Sequence, residues 1–529
     1  MNIDKDLRSI QEVRALTQKA KEAQLEFKYY TQEQVDKIVK AMADAGFAES
    51  ERLAKMACEE TGFGIVEDKI KKNQFGSRDV YNSIKDLKTV GVIEVLENGK
   101  LVKIAEPMGV VAALIPSTNP TSTAMFKAII SLKTRNAIVA SPHPKAVVST
   151  QEALNVVRTA AEKAGAPKGL IHCMTMPTME GTSELMKNEN VSVILATGST
   201  PMVKAAYSAG TPAYGVGSGN VPAFIERTAD YKKAAADIIY GTSFDNGTLC
   251  SSEQSMIVDR PIKDKVIEEA KKVGGYFLNN AEKSKLENAI VKNGRINADI
   301  VGKPATFIAN YAGFSVPDST KVLIAECHTV GKEEPLSMEK LSPTLAFYVV
   351  DGWLDGCHKS IELLKFGGVG HTLSIHSNDE DIIMKFAIEK PAFRIVVNSP
   401  SSLGAVGFTT ALLPSLTLGV GTWGGSIISE NVSAKHLMNI KTLAFETNPI
   451  NKGNSVTSLS SVKSANKQPS NGGSYLSQIE EHILARAGNP VVNPFNTSKS
   501  FSKENPQRKV LGEGISPSEI ERIIKEFNS

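Results

Sequence analysis

The chain has 529 residues, of which 41% are hydrophobic and 22% charged, and its formal net charge is +3. This length predicts two or three domains rather than one small core. So small a charge over such a length argues against nucleic acid or a membrane surface as partner. No apolar run is long enough to span a bilayer, and the charged first residues lack the apolar core of a signal peptide, so we expect a cytosolic protein.

Two local patterns mark the first part of the chain. Thr31 and Gln34 fit a capping box, and the residues that follow carry an apolar stripe at helical spacing. Residues 91–107 contain two alternating segments joined by Asn98-Gly99, the dipeptide that best tolerates a type I′ turn. The second pattern predicts a protruding hairpin arm. Since its edges need cover, we interpret the arm as a subunit contact of a homodimer or homotetramer; an ordinary surface hairpin is the alternative.

From residue 108 onward, short β-branched runs alternate with helical segments. The runs at 109–116, 136–142 and 191–199 are typical of buried parallel strands, and helices are predicted at 121–134 and 149–165. This alternation predicts an α/β fold with a doubly wound parallel sheet and right-handed crossovers. Ligands of such sheets bind at the carboxyl ends of the strands, so the turns after the three runs are the predicted ligand site.

A second α/β region follows, with strands expected at 344–350, 371–377 and 393–399. Beyond it, 413–433 is rich in glycine and hydroxyl residues and predicts an ordered loop that leads into a helix at 434–445. These composition changes divide the chain into four parts, which are a first α/β domain at 1–225, a second at 226–405, a C-terminal core segment at 406–447 and a tail at 448–529.

The composition of the tail shifts to Gly, Ser, Asn and Lys, which predicts a flexible linker at 448–474. Two short amphipathic helices with capping signals are predicted farther on, at 477–488 and 516–529. Helices of this length are marginal in water by themselves. We therefore interpret them as docking peptides; the alternative is a helix that folds back on its own core.

The five cysteines are scattered and odd in number. None belongs to a CxxC pair or to a Cys/His spacing typical of a metal site, so we expect free thiols, a reducing compartment and no bound metal. Cys250 differs from the others because it lies in NGTLCSSEQ, among small and hydroxyl-bearing residues.

A lone cysteine is most often an inert small hydrophobe, but two features of this stretch favour a nucleophile. Its backbone N–H groups are free to bind an oxyanion, and a helix expected just after Cys250 would lower the pKa of the thiol. The other four cysteines lie in apolar or helical stretches. Cys250 is therefore the predicted nucleophile.

Six segments in order make residues 1–447 resemble the aldehyde dehydrogenase superfamily, namely GVVAALIPSTNP, SPHPKA, ATGST, YGVGSGNVPAFIE, FDNGTLCSSEQS and MEKLSP. The resemblance implies an aldehyde-dehydrogenase-like fold, in which a Rossmann-type cofactor-binding domain (1–225) precedes an α/β catalytic domain (226–405). It implies that Cys250 is the nucleophile and that Asn119 belongs to the oxyanion hole. The cofactor-binding residues that it implies are Ile115, Pro116, Ser117, Ser141, His143, Thr197, Gly198, Ser199, Gly215, Gly217, Glu339 and Leu341.

NAD is the cofactor that the resemblance favours. NADP is the alternative, because His143 replaces the lysine that many superfamily members place on the adenosine ribose. His371 is a further candidate for the site, with a structural role as the alternative.

The implied reaction has two halves. The Cys250 thiolate attacks an aldehyde, hydride leaves for the nicotinamide, and a thioester remains on the enzyme. Hydrolytic members then use a glutamate as base for water, but Gly215 stands at that position and residues 211–222 contain no carboxylate. Water is a poor nucleophile without a base or metal, whereas a thiol is partly ionised at neutral pH. These residues favour coenzyme A as the acyl acceptor, as in the CoA-acylating branch.

Within that branch, the chain looks most like the propionaldehyde and acetaldehyde dehydrogenases of bacterial microcompartments. Tethered helices target those enzymes to a protein shell, which implies shell docking here through 516–529, with 477–488 in reserve. Propanal, or else acetaldehyde, is the implied substrate. Two alternatives stay open: a hydrolytic enzyme with a base from elsewhere, such as Glu253, and a catalytically idle scaffold protein.

Overall fold

The computed structural model describes residues 4–292, 294–451 and 453–459. The docking helices predicted at 477–488 and 516–529 lie outside the described residues. The α-helices are α1 (Lys5–Phe27), α2 (Gln32–Ala48), α3 (Ser50–Thr61), α4 (Val66–Gln74), α5 (Val80–Ile84), α6 (Pro120–Lys133), α7 (Val147–Lys163), α8 (Met179–Lys187), α9 (Thr200–Tyr207), α10 (Tyr231–Ser243), α11 (Lys263–Lys272), α12 (Asn280–Ile290), α13 (Ala305–Ala312), α14 (Trp353–Phe366), α15 (Glu380–Glu389) and α16 (Ser401–Gly404).

The strands are β1 (Gly91–Leu96), β2 (Leu101–Pro107), β3 (Val110–Ile115), β4 (Ala137–Pro142), β5 (Ile171–Cys173), β6 (Val191–Thr197), β7 (Ala213–Val216), β8 (Val221–Ile225), β9 (Glu253–Asp259), β10 (Gly275–Phe277), β11 (Val291–Lys292), β12 (Arg295–Ile296), β13 (Val322–Glu326), β14 (Thr344–Val350), β15 (Gly370–His376), β16 (Ala392–Val397) and β17 (Met438–Ala444). The strands expected from the β-branched runs are all present. None of the described helices is long and apolar enough to cross a membrane.

Two parallel sheets form the centre of the fold. The first has the strand order β5-β4-β3-β6-β7 and the second the order β10-β13-β14-β9-β8-β15-β16. Every strand pair in both sheets is parallel. This confirms the expected α/β class, because buried parallel strands joined by helices read as near-continuous apolar runs.

The boundary between the two sheets falls after β7. Strand β8, at the end of the first predicted domain (1–225), pairs with β9 and β15 and so belongs to the second sheet. All five of its residues are buried, which explains why its sequence could not be told from that of the strands before it. The first sheet therefore ends at Val216 rather than at residue 225.

The helix α6 carries the turn that is expected to bind an oxyanion. All of its residues are buried, including Lys127, whose Nζ donates to the carbonyls of Leu114 and Leu195, each at 2.8 Å. These carbonyls lie near the carboxyl ends of β3 and β6. A buried lysine needs such acceptors, and they hold the middle of α6 against β3 and β6.

The predicted hairpin is present and has the expected turn. In the turn between β1 and β2, Lys100 N donates to Glu97 O at 3.2 Å. Asn98 has φ 54° and ψ 39°, and Gly99 has φ 88°, as in a type I′ turn. Its role as a subunit contact stays a prediction.

The prediction of a helix at 434–445 is wrong. A short turn at Ala434–Leu437 is followed by strand β17, which pairs antiparallel with β2 and gives a sheet of order β1-β2-β17. The hairpin left one edge of β2 with unpaired N–H and C=O groups, and residues 438–444 satisfy them. Because that partner is more than 300 residues away in the chain, local helix propensity could not reveal it.

Candidate active site

The carboxyl ends of the three central strands lie side by side at one edge of the first sheet. Ile115 of β3 pairs with Pro142 of β4, and Leu114 pairs with Ala196 of β6. Ligands of doubly wound sheets bind at this edge. The structure therefore brings together the predicted cofactor residues of these three turns, which are Ile115, Pro116, Ser117, Ser141, His143, Thr197, Gly198 and Ser199.

The same edge has the features that a dinucleotide pyrophosphate requires. Helix α9 starts here with Ser199 at its N-cap, and a Cβ built on Gly198 would meet nothing within 4 Å. A helix N-terminus that faces open space favours an anion through its unpaired N–H groups and dipole. Ser141 is less available, because its buried hydroxyl is already bonded to Thr182 Oγ1 at 2.8 Å. The residues present fit a nicotinamide dinucleotide.

Position 215 has no room for a side chain. Gly215 is buried in β7, and a Cβ built there would lie 2.6 Å from both Tyr207 Oη and Val203 Cγ1 of α9. Tyr207 Oη also accepts a hydrogen bond from Gly215 N at 2.9 Å. A side chain at this position would therefore require the Tyr207 and Val203 side chains of α9 to shift.

Cys250 lies in a loop whose backbone is unusual. Three residues before it have positive φ, namely Asp245 (49°), Asn246 (53°) and Gly247 (72°). At Gly247 a Cβ would lie 2.9 Å from the backbone of Ser342. These conformations are costly for residues other than glycine, so the contacts of this loop must hold it in place.

The prediction of a helix just after Cys250 is wrong, because strand β9 begins at Glu253. The run EQSMIVD is fully buried between β8 and β14, and this packing overrides any helix propensity. The segment after Cys250 therefore supplies no helix dipole to the thiol. Burial, and after it the Glu339 carboxylate, raise the pKa of Cys250 to about 12, and Arg394 opposes the shift.

Arg394 was not expected from the sequence. Its guanidinium is buried and donates to the carbonyls of His371 at 2.8 Å and Gly419 at 2.6 Å. No carboxylate pairs with it among the described residues. Burial lowers its pKa to about 10, so it stays a cation at neutral pH and favours the Cys250 thiolate.

Asn119 precedes α6 and lies beside the Cys250 loop. Its Nδ2 is 3.4 Å from Thr248 O, and its Oδ1 accepts from Lys72 Nζ at 2.6 Å. The Cys250 N–H donates to no other residue in the described part of the chain. The Asn119 amide N–H₂ and the Cys250 backbone N–H, on the neighbouring loop, are the two kinds of donor that the predicted oxyanion hole needs.

A cluster of Gly219, Glu339 and His371 connects Cys250 to the loop before β14. Gly219 packs against Cys250, since a Cβ on Gly219 would lie 2.1 Å from Cys250 O and 3.3 Å from His371 Nδ1. Glu339 Oε1 accepts from Gly219 N at 2.8 Å, and burial raises the pKa of this carboxyl to about 7. The structure thus places His371 and Glu339 next to the same glycine. Leu341 has φ 48° and its carbonyl accepts from Gly302 N.

Glu253, the alternative base, is turned into the protein. Its Oε1 accepts from Ser401 N, and a Cβ on Gly241 of α10 would lie 2.3 Å from its Oε2. Burial raises its pKa to about 8.

Within the described ranges there is also no group of three or more His, Cys, Asp or Glu side chains that suits a metal ion. All five cysteines are free.

An apolar cavity adjoins the Cys250 loop. Leu249 and Phe244 form one wall, and most other lining residues are aromatic or aliphatic. The two lysines at the cavity are already engaged, Lys71 with Asp68 at 3.1 Å and Lys72 with the Asn119 amide. The remaining lining residues are Phe75, Tyr240, Leu403, Val406, Phe408 and Leu416.

The chain is similar to known proteins over most of the described residues. Residues 7–275 match the description "Aldehyde dehydrogenase family". The bifunctional aldehyde-alcohol dehydrogenase AdhE of Escherichia coli (strain K12) is 47% identical over 441 residues, which cover 82% of this chain and 50% of that protein. The chain spans about half the length of this and similar aldehyde-alcohol dehydrogenases.

Two solved structures share the architecture. An acetylating aldehyde dehydrogenase from Geobacillus thermoglucosidasius is 54% identical with a TM-score of 0.84, covering 85% of this chain and 100% of that one. A propionaldehyde dehydrogenase from the Clostridium phytofermentans fucose utilisation bacterial microcompartment is 29% identical with a TM-score of 0.75, covering 83% of this chain and 98% of that one. The protein belongs to the aldehyde dehydrogenase family, and its similarity to an acetylating member confirms the CoA-acylating branch expected from the sequence.

The raised pKa of Cys250 predicts how the free enzyme reacts with iodoacetamide. The alkylation rate of Cys250 should rise about tenfold per pH unit from pH 7 to pH 10, because only the thiolate reacts. Mass spectrometry of the Cys250 peptide measures this rate. A plateau below about pH 9 would show an ordinary thiol instead.

The electrostatic part of this prediction has a matched control. Arg394→Met should slow alkylation at pH 9, since it removes the cation that favours the thiolate. Arg260→Met should not, because Arg260 pairs with Asp351 at the surface.

Proposed function

We propose that the protein is a CoA-acylating aldehyde dehydrogenase that converts a short aliphatic aldehyde to an acyl-CoA with NAD as hydride acceptor. The observation that carries the proposal is the crowding at position 215, where the resemblance places the base of hydrolytic members, together with the Asn119 amide beside the Cys250 loop. Such a site can form a thioester but activates water poorly.

In the first half-reaction, the Cys250 thiol loses its proton to solvent, and the Sγ of the thiolate attacks the aldehyde carbon. The negative charge that develops on the aldehyde oxygen is bound by Asn119 Nδ2 and the Cys250 N–H, and one such donor typically contributes about 3–4 kcal/mol. Arg394 and the lysines around Asn119 favour the thiolate and the oxyanion. A nicotinamide cofactor held at the carboxyl edge of the first sheet would supply the hydride acceptor, and Cys250 would then carry the acyl group as a thioester.

The second half-reaction releases the acyl group to a thiol. The nearby carboxyls are poorly placed to activate water, since Glu339 is bonded to Gly219 N and Glu253 to Ser401 N. A thiol such as that of coenzyme A needs less help, because its pKa near 8.5 leaves a few per cent ionised at neutral pH. Attack on the thioester carbon gives the acyl-CoA and returns the Cys250 thiol.

The cavity supports an uncharged aliphatic aldehyde as substrate. Eight of its ten lining residues are aromatic or aliphatic, so most of the wall offers no partner for a carboxylate or sulfonate on the substrate. Burial of an unpaired charge is costly. Propanal, or acetaldehyde as the alternative, fits these walls, and NADP is the alternative cofactor.

The product formed with and without CoA tests this function. Wild-type protein with propanal and NAD should form propionyl-CoA when CoA is present, and NADH formation should stop after about one turnover without it. NADH absorbance and product chromatography measure both. Free propionate formed equally fast without CoA would instead support the hydrolytic alternative.

The Cys250→Ala variant is the control for the scaffold alternative. It should fold and bind NAD but form no NADH. If the wild type also forms none from either aldehyde, the non-catalytic alternative gains support.

We also propose that the enzyme works in the cytoplasm within a bacterial microcompartment, docked to a shell protein through 516–529. The support is the apolar stripe of Ile520, Ile523, Ile524 and Phe527 on a polar tether, together with the related microcompartment enzyme at 29% identity. The hairpin arm supports a homodimer or homotetramer.

Deleting 516–529 should leave aldehyde oxidation intact and abolish co-purification with shells. Ile524→Glu, on the apolar stripe, should reproduce the loss, and Lys525→Glu, off the stripe, should not. If packaging is retained after the deletion, either 477–488 is the docking segment or neither segment docks to the shell. Deletion of both segments distinguishes these two outcomes.

A further inference from the structure

The carboxamide of Asn119 can present either its oxygen or its N–H₂ group to the Cys250 loop, and only the second can bind an oxyanion. Asn119 caps α6 by position, yet its side chain is turned to Lys72, whose Nζ lies 2.6 Å from Oδ1. A lysine ammonium donates hydrogen bonds and accepts none. The Lys72 ammonium therefore holds Asn119 Oδ1 on the Lys72 side of the carboxamide. Asn119 Nδ2 then faces Thr248 O, two residues before Cys250.

We propose that Lys72 is a positioning residue of the oxyanion hole, which holds the Asn119 amide in the orientation that presents its N–H₂ group to the reacting aldehyde oxygen. This inference rests on the proposed function. A hydrogen bond from a cation to the amide oxygen also polarises the amide and makes its N–H groups stronger donors. Lys72 thus acts on the reaction through Asn119 and does not touch the substrate oxygen itself.

Lys72 is itself held by the loop that carries Cys250. Its Nζ contacts Asp245 Oδ2 and lies 3.0 Å from Thr248 Oγ1. Asp245 Oδ1 accepts from Ile65 N at 2.7 Å, and Lys69 Nζ is 2.9 Å from Oδ2. The network thereby connects α4, the nucleophile loop and Asn119, and the side chains of Lys69, Lys72, Asp245 and Thr248 in it are buried.

The network also carries more positive than negative charge. Two buried ammonium groups, those of Lys69 and Lys72, share the single buried carboxylate of Asp245. Asp68, at the edge, accepts from Asp245 N and pairs with Lys71. In a low-dielectric site such an excess favours nearby negative charge, which is what forms on the aldehyde oxygen.

A double-mutant cycle between Lys72 and Asn119 tests the inference. The rate of the first NADH turnover is measured at saturating propanal and NAD for wild type, Lys72→Met, Asn119→Ala and the double variant. Asn119→Ala should lower it about 100- to 1,000-fold, and Lys72→Met at least about tenfold, because the amide loses its fixed orientation. KM for NAD should not change, since the cofactor edge is untouched.

The loss caused by Lys72→Met should be more than about threefold smaller once Asn119 is absent, because residues that act through one another are not additive. Equal losses in both backgrounds, within about threefold, would overturn the inference and show a structural role. Lys55→Met is the control. Lys55 pairs with Glu51 at the surface, outside the network, so it should leave the rate unchanged in both backgrounds.

Lys72→Gln provides a second variant if Lys72→Met does not fold. Its amide retains a hydrogen-bond donor for Asn119 Oδ1, so its rate should exceed that of Lys72→Met wherever both fold, and the same cycle applies to it. If the wild type forms no NADH, the proposed function fails and the inference fails with it. An active wild type with additive losses overturns the inference alone.

Discussion

The carboxylate of Asp245 is the group on which the candidate active site depends. It is completely buried, and it binds Lys69, Lys72, Thr248 Oγ1 and the backbone N–H of Ile65. Breaking a buried charge pair by removing one partner costs about 3–5 kcal/mol, because the other charge is left uncompensated. Through this one carboxylate the loop before Cys250 keeps its positive φ angles and stays next to the oxyanion donors.

The reaction that the site favours follows from what surrounds Cys250. The cations of Arg394 and Lys72 favour negative charge near the thiol, while position 215 is filled by α9 and offers no base for water. The site therefore supports formation of the acyl-enzyme better than it supports hydrolysis of the acyl-enzyme. A site of this kind retains its thioester until an acceptor arrives that ionises without a protein base, and a thiol, which is partly ionised at neutral pH, is such an acceptor.

Much of the fold could be predicted from the sequence, because buried parallel strands leave a local signal, as in 109–116 and 191–199. Two helices were predicted wrongly, at 434–445 and after Cys250, since the strands found there are fixed by partners far away in the chain. Lys72 could not be recognised for the same reason: it lies in a polar helix, 173 residues from Asp245. The family and its CoA-acylating branch were predicted correctly, whereas the site residues and the shell-docking role stay predictions.

The most direct test of the account is the mass of the enzyme after a single turnover. Wild-type protein mixed with propanal and NAD in the absence of CoA should gain a propionyl group on Cys250 that persists for many turnover times, and addition of CoA should remove it as propionyl-CoA. If the propionyl group is lost to water as fast as to CoA, or never forms while NADH does, the account is contradicted.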